Sequence, residues 1–388
     1  MKILIVNNLF EPNIVGGAEV SVKHLAMMLL DRGVEVKILS LGLNGNSSFT
    51  EYASYKGLTS IWPVKTPRSF LQRLAFQFIG DVNPGHLSKR INRVFDEFNP
   101  DIVHTNNLAG IGQNIWDFAK KRNIKVAHTL RDYYQLCAKQ TMYKNGTNCN
   151  GQCTECKFLC LRRSHQSANV DYVIGNSEFT LKAHLNAGYF PNAKTGVISG
   201  GLAEDFVLKG DRKNRNKIII GYLGQILPSK GLEDFLLVSK FLPDFNFYIA
   251  GAGEQSYIDS LKEKYPQSNI HFMGRVVAKE FLDSISILVV TSKWNEPLPR
   301  VIYEAHSRGV SVVASRVGGN PEIMTGSQEK YLYNPGDIDS LLNLLSDLIS
   351  KLSENKINFN ELKLHSSRFS ATSVSEKYLK IYEELINV

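Results

Sequence analysis

Apolar positions along the chain fall into short runs separated by amphipathic stretches, the alternation of strand and helix that builds parallel sheets. Ile3–Val6 reads as a buried strand, Gly16 and Gly17 as a turn, Ala18 to Arg32 as a helix stopped by Gly33, and Val34–Leu39 as a second strand. Runs at Asp101–His104, Lys125–Leu130 and Asp171–Ile174 extend the same sheet. The charged stretch from Lys209 to Lys217 then interrupts the pattern as a solvated linker. A second series begins at Ile218–Leu223 and continues through Phe245–Ala250, Ile285–Thr291 and Val310–Ala314. Two Rossmann-like halves in tandem are the economical arrangement, because the polar break disfavours one large sheet. Near the end, Tyr378, Ile381, Tyr382 and Leu385 give Ser373 to Val388 the apolar face of a helix, which either half could receive.

Length agrees with two domains, since 388 residues exceed what one core usually organises. A hydrophobic fraction of 43% and a charged fraction of 21% are globular values. The net charge of +8 suits phosphate-bearing ligands or an anionic membrane surface and is too mild to argue for nucleic acid. The opening MKILIVNNLF breaks its apolar run at Asn7 and Asn8, as a strand does and an export signal does not. No stretch approaches the roughly 18 apolar residues of a membrane span. The expected location is the cytoplasm, with contact at the cytoplasmic face of the membrane left open.

The richest segment is Ser292-Lys-Trp-Asn-Glu296-Pro-Leu298-Pro299-Arg300-Val-Ile-Tyr-Glu304, directly after an apolar run. Pro299 suits a first helical turn, where its missing N–H costs nothing. The free amides of such a helix start favour an anion, and a diphosphate fits there. Glu304 then lies about 7.5 Å further along the axis at 1.5 Å per residue, near the span from a diphosphate to its ribose hydroxyls. Glu296, in the preceding loop, reaches the other way toward a sugar. Two glutamates near a helix start can also merely complement its dipole.

A second cluster, Gly221-Tyr-Leu-Gly224-Gln225-Ile-Leu-Pro-Ser-Lys230-Gly231, ends a strand in a glycine turn and supplies a cation. Gly16 and Gly17 play the matching part in the first half, unless they form a plain tight turn. Gly318-Gly319-Asn320-Pro321-Glu322 again follows a strand, at the edge where open α/β sheets bind ligands.

These four motifs in this order, Gly-Gly-Ala-Glu, Gly-x5-Lys-Gly, Glu-x7-Glu and Gly-Gly-x-x-Glu, resemble the retaining glycosyltransferases of family GT4 over nearly the whole chain. The resemblance implies a GT-B fold: an acceptor-binding domain at 1–200, a nucleotide-sugar-binding domain at 201–372 facing it across a cleft, and a helix at 373–388 crossing back to the first domain. It places Lys230 at the donor diphosphate, Glu304 at the ribose and Glu296 at the transferred sugar. Gly16, Gly17, Gly224, Gln225, Leu298, Pro299 and Arg300 complete the donor site. The donor is a UDP-sugar or a GDP-sugar, and the activity that of a hexosyltransferase.

Two departures from the family stand out. Gln225 occupies a position where relatives often carry Arg. In His128-Thr-Leu-Arg131-Asp132, Arg131 stands where many relatives have His, and a guanidinium cannot serve as a base. Arg131 can instead hold a phosphate, leaving Asp132 to orient an acceptor hydroxyl or simply to cap a helix. His104, at the end of its strand, reads as structural. No carboxylate nucleophile presents itself, so the family's front-face attack, with the leaving diphosphate taking the acceptor proton, is the expected mechanism; it requires no metal.

Cys149-x3-Cys153-x2-Cys156-x3-Cys160 offers four thiols to a structural zinc ion, within a Cys-bearing loop at 137–160. Reduced thiols are the alternative. Between Pro63 and Phe95, Lys65, Arg68, Arg73, Lys89, Arg90 and Arg93 interleave with aromatic and aliphatic residues. That pattern suits either an ordinary amphipathic helix or a segment meeting anionic lipid, as a lipid-diphosphate-linked acceptor in bacterial surface polysaccharide assembly would require. Rival functions are a nucleotide-sugar epimerase, a glycan phosphorylase and a non-catalytic binding protein on the same scaffold; Glu296, Glu304 and Lys230 together argue against the last.

Overall fold

The computed structural model describes residues 1–10, 16–42, 54–59, 85–210, 212 and 217–387. The chain divides into two compact units: residues 1–142, 149–201 and 371–388 form one, and residues 143–148 and 202–370 the other. Most of the basic and aromatic stretch after Pro63, and most of the charged linker after Lys209, lie outside the described residues.

The first unit holds a parallel sheet of β1 (Lys2–Val6), β2 (Glu35–Gly42), β3 (Ser54–Thr59), β4 (Ile102–Thr105), β5 (Lys125–Leu130), β8 (Tyr172–Gly175) and β9 (Lys194–Val197). Their spatial order is β3-β2-β1-β4-β5-β8-β9. β6 (Tyr143–Lys144) and β7 (Thr147–Asn148) form a separate antiparallel hairpin. The central strands are buried on both faces, β1 from Ile3 to Val6 and β4 throughout, as strands covered by helices on two sides must be.

In the second unit β10 (Ile219–Leu223), β11 (Asn246–Ala250), β12 (Ile270–Gly274), β13 (Ile287–Val290), β14 (Ser311–Ser315) and β15 (Leu332–Tyr333) pair in parallel. Their order is β12-β11-β10-β13-β14-β15. In each sheet the strand order turns back between two neighbours, β1 and β4 in one and β10 and β13 in the other. Beyond the carboxyl ends of such a pair the crossover helices leave on opposite faces and open a crevice, so ligands collect there.

The last helix, Ala371–Ile386, packs on the helix Gly17–Leu30, and Val374, Tyr378, Ile381, Tyr382 and Leu385 join the first unit's core. A polar pin reinforces the apolar face: the buried His104 ring pairs through Nδ1 with the Tyr382 hydroxyl at 2.6 Å and through Nε2 with Thr129 Oγ1 at 2.7 Å. Both ring nitrogens are thus satisfied, and burial, with the charge of Arg131 behind it, holds His104 well below its ordinary pKa. His104 is structural, and it recruits the chain's end to the first unit.

Candidate functional site

Two loops meet beyond the ends of β10 and β13 in the second unit. The first leaves β10 at Gly224, whose amide donates to the Ala250 carbonyl at 3.0 Å. It then makes one turn of 3-10 helix over Pro228–Lys230 before Gly231. Gly231 has φ +65°, and a Cβ there would lie 2.1 Å from the Thr291 carbonyl oxygen, so only glycine lets the loops approach this closely. Ser229 ties the two together by accepting from the amides of Lys293 at 2.9 Å and Trp294 at 3.2 Å.

Side chains meet on this frame. Lys230 Nζ lies 2.6 Å from Glu296 Oε1, with side-chain exposures of 20% and 9%. Ser292 Oγ donates to the same carboxylate oxygen, and the Lys230 ammonium stands 5.3 Å over the Trp294 ring. An ammonium has three donors, so bonding Glu296 uses one and leaves the group chemically able to meet a phosphate as well. The Glu296 backbone is fixed from a third side by Gly319, whose amide donates to its carbonyl at 2.8 Å.

Pro299 is the cap residue, with the helix running from Arg300 to Ser307, so the first turn begins one residue later than the sequence implied. Within it Arg300 grips Glu304 one turn on, with Nε and Nη2 at 3.0 and 2.9 Å from Oε1. Leu298 packs against the unit's core, whereas Gln225 is exposed and offers its carbonyl to the Tyr222 hydroxyl at 2.8 Å. The structure therefore gathers Lys230, Glu296 and the Arg300–Glu304 pair around the two loops and leaves the Gln225 side chain outside that network.

In the first unit the corresponding edge carries Arg131 and Asp132. Asp132 starts no helix: its Oδ1 accepts from the Tyr134 amide at 2.7 Å, closing an Asx-turn, and its Oδ2 accepts from Asn107 Nδ2 at 2.5 Å. Burial pushes its carboxyl up to about 6 against both bonds, with the charge of Glu19 adding to the rise. Arg131 Nε donates to Asn106 Oδ1 at 2.7 Å. A small pocket is lined by Asn106, Asn107, His128, Arg131, Asp132 and Gln135, among others. Gly16 is extended and precedes the helix; its amide donates to Glu19 Oε2 at 2.7 Å, so that group is engaged within the turn.

Of the four cysteines expected to form a zinc site, Cys153 and Cys156 are in hydrogen-bond contact. Cys160 is fully buried, its sulphur 3.7 Å from Arg163 Nη1. Cys156 also shares a hydrogen bond with Cys137, which lowers the Cys137 thiol against its burial. All five thiols are free, and among the described residues no group of three or more Cys, His, Asp or Glu side chains is disposed to hold a metal. Cys160, the last of the expected set Cys149, Cys153, Cys156 and Cys160, lies in the core.

The description Glycosyltransferase Family 4 matches residues 15–206, and Glycosyl transferases group 1 matches residues 205–361. An uncharacterised 42.6 kDa protein in the cps region of Klebsiella pneumoniae is 30% identical over 99% of this chain and 100% of its own length. The chain belongs to glycosyltransferase family 4. A UDP-Gal:alpha-D-GlcNAc-diphosphoundecaprenol alpha-1,3-galactosyltransferase of Escherichia coli is 27% identical over 45% of this glycosyltransferase and 53% of that enzyme. Its fold is that of the GT-B enzymes. Sucrose-phosphate synthase from Thermosynechococcus elongatus superposes with a TM-score of 0.78 over 100% of this chain and 99% of that one, at 16% identity. Anabaena Alr3699/HepE in complex with UDP and glucose gives 0.74 over 99% and 100%, at 17% identity.

Sequence reasoning assigned no role to Ser292, Trp294 or Asn148. Ser292 and Trp294 lay inside the quoted motif but carry no signal of their own. Their parts follow only from where Glu296 and Lys230 fold. No helix among the described residues is long and apolar enough to cross a membrane.

Proposed function

We propose that this glycosyltransferase transfers a hexose, with retention, from a UDP-sugar to a lipid-diphosphate-linked glycan in the assembly of a bacterial surface polysaccharide. The observation that carries the reading is the Lys230–Glu296 pair, held at 2.6 Å where the second sheet reverses its order. Lys230 and the amides that start the helix at Arg300 neutralise the β-phosphate as the glycosidic bond to it breaks. Glu296 orients the sugar hydroxyls. Glu304, steadied by Arg300, takes the ribose. Because the leaving phosphate oxygen accepts the acceptor's proton on the face it departs from, no enzymic base is needed. Asp132 hydrogen-bonds the incoming hydroxyl, and Arg131 binds the acceptor's phosphate. UDP and the undecaprenyl-linked acceptor are supported by what the names of the structural neighbour and the galactosyltransferase relative state for those proteins.

Thermal-shift titration with UDP, GDP and ADP tests the donor, since a ligand of the folded state raises the melting temperature by mass action. A UDP-selective shift that disappears in Glu304→Ala is expected. A shift with GDP or ADP alone, or one indifferent to Glu304, overturns the assignment.

A further inference from the structure

The cysteine-bearing loop contains a six-residue excursion, Tyr143-Lys-Asn-Gly-Thr-Asn148, that groups with the second unit although the chain on both sides belongs to the first. Its sequence explains its shape. Asn145 and Gly146 take φ +51° and +79°, the pair of left-handed residues that a tight two-residue hairpin turn requires. Tyr143 then pairs with Asn148 and Lys144 with Thr147. The Tyr143 hydroxyl donates to the Gly146 carbonyl at 2.8 Å, and Thr147 Oγ1 to the Lys144 carbonyl at 3.1 Å. Two strands of two residues do not hold themselves in water, so the hairpin depends on what it docks against.

The docking group is Asn148. Its Nδ2 donates to the Lys293 carbonyl at 2.8 Å, and its Oδ1 accepts from the Asn295 amide at 2.7 Å. One side-chain amide thus pairs with the backbone on both sides of Trp294, immediately before Glu296. Ser229 holds the same loop through the amides of Lys293 and Trp294, and Gly319 holds the Glu296 carbonyl. Asn148 secures two further polar groups of this stretch, the Lys293 carbonyl and the Asn295 amide.

We infer that Asn148 is a positioning residue for the donor site: the hairpin in the cysteine-bearing loop clamps the backbone from Lys293 to Asn295 so that Glu296 meets Lys230 and the donor sugar. The clamp is geometric, and its value to catalysis rests on the donor-site reading above. An asparagine is required because the two partners are one acceptor and one donor. Aspartate satisfies the Asn295 amide but sets its second oxygen against the Lys293 carbonyl until it is protonated, when its O–H can donate there as the amide did.

Hydrogen exchange of the ligand-free protein measures the clamp directly. In Asn148→Ala the Asn295 amide is expected to exchange at least tenfold faster, with the melting temperature little changed, and in Thr147→Ala to exchange as in the parent. Hydrolysis of UDP-glucose supplies the functional readout: Asn148→Ala lowers kcat about a hundredfold, the effect of an ångström's misplacement, with UDP affinity kept within threefold. Asn148→Asp is depressed at pH 8 and recovers relative to the parent as pH falls toward 5. Parental Asn295 exchange in Asn148→Ala, or a kcat for Asn148→Asp that tracks the parent at every pH, overturns the inference. Glu296→Gln and Lys230→Met are run beside them. If those two retain full UDP-glucose hydrolysis, the donor-site reading fails, whereas their loss with parental Asn148 variants sinks only the clamp.

Discussion

Gly318 offers a quantitative test of how tightly the loop that carries Glu296 is built. Its φ is +52°, and a Cβ placed there would lie 2.2 Å from the Glu296 carbonyl oxygen and 2.5 Å from the Glu296 nitrogen. Both are backbone atoms, so no side chain can swing aside. Gly318→Ala therefore meets two costs. The left-handed backbone contributes about 1–2 kcal/mol, and the clash displaces Glu296 by about an ångström, a shift that costs roughly a hundredfold in turnover. Gly326 separates the two, for its φ is +61° and nothing lies within 4 Å of its Cβ position. Gly326→Ala should lower the melting temperature by the strain alone and leave kcat/KM unchanged. Gly318→Ala should lower the melting temperature further and reduce kcat/KM about a hundredfold, measured by release of UDP from UDP-glucose. Equal kcat/KM for the two variants would refute the claim that the glycine turn after β14 sets the position of Glu296.

Two further outcomes follow from the buried charges and rings. Lys230→Met leaves the Glu296 carboxylate, 9% exposed, without its cation and should cost about 2 kcal/mol of stability, while Glu296→Gln on that background restores most of it; additive losses in denaturant melts would show that the pair does not act as a unit. His306 is fully buried, and burial, with His365 and Arg368 adding to it, pushes its pKa down to about 3. Its neutral form is native, so the stability it carries is present above 6.5 and falls as the unfolded chain takes up a proton below that value. His306→Leu should therefore be spared about 1.4 kcal/mol for each pH unit between 6.5 and about 3 relative to the parent, and parallel melting curves from pH 7 to 5 would contradict the assignment.

Hydrophobic periodicity alone located the central strands of both sheets, because a strand buried on two faces reads as a largely apolar run. Edge strands escaped it for the same reason. β9 begins with two exposed residues and ends with two half-buried ones, and β12 ends in exposed Met273 and Gly274, so neither leaves such a run. The glycines at 231 and 318 and the glutamates at 296 and 304 were legible as a candidate site, since turn chemistry and helix polarity are local properties written in adjacent residues. Partnerships between distant residues were not. The bonds of Asn148 to Lys293 and Asn295 span 145 and 147 positions, and those of His104 to Tyr382 span 278. The cysteines show the same limit, for their spacing is regular in sequence, yet packing sends Cys160 to the core beside Arg163 and pairs Cys156 with Cys137. Local backbone preference and the burial of apolar runs are encoded position by position, whereas the choice of partner for a polar group depends on which loops the folded sheets bring within hydrogen-bonding distance.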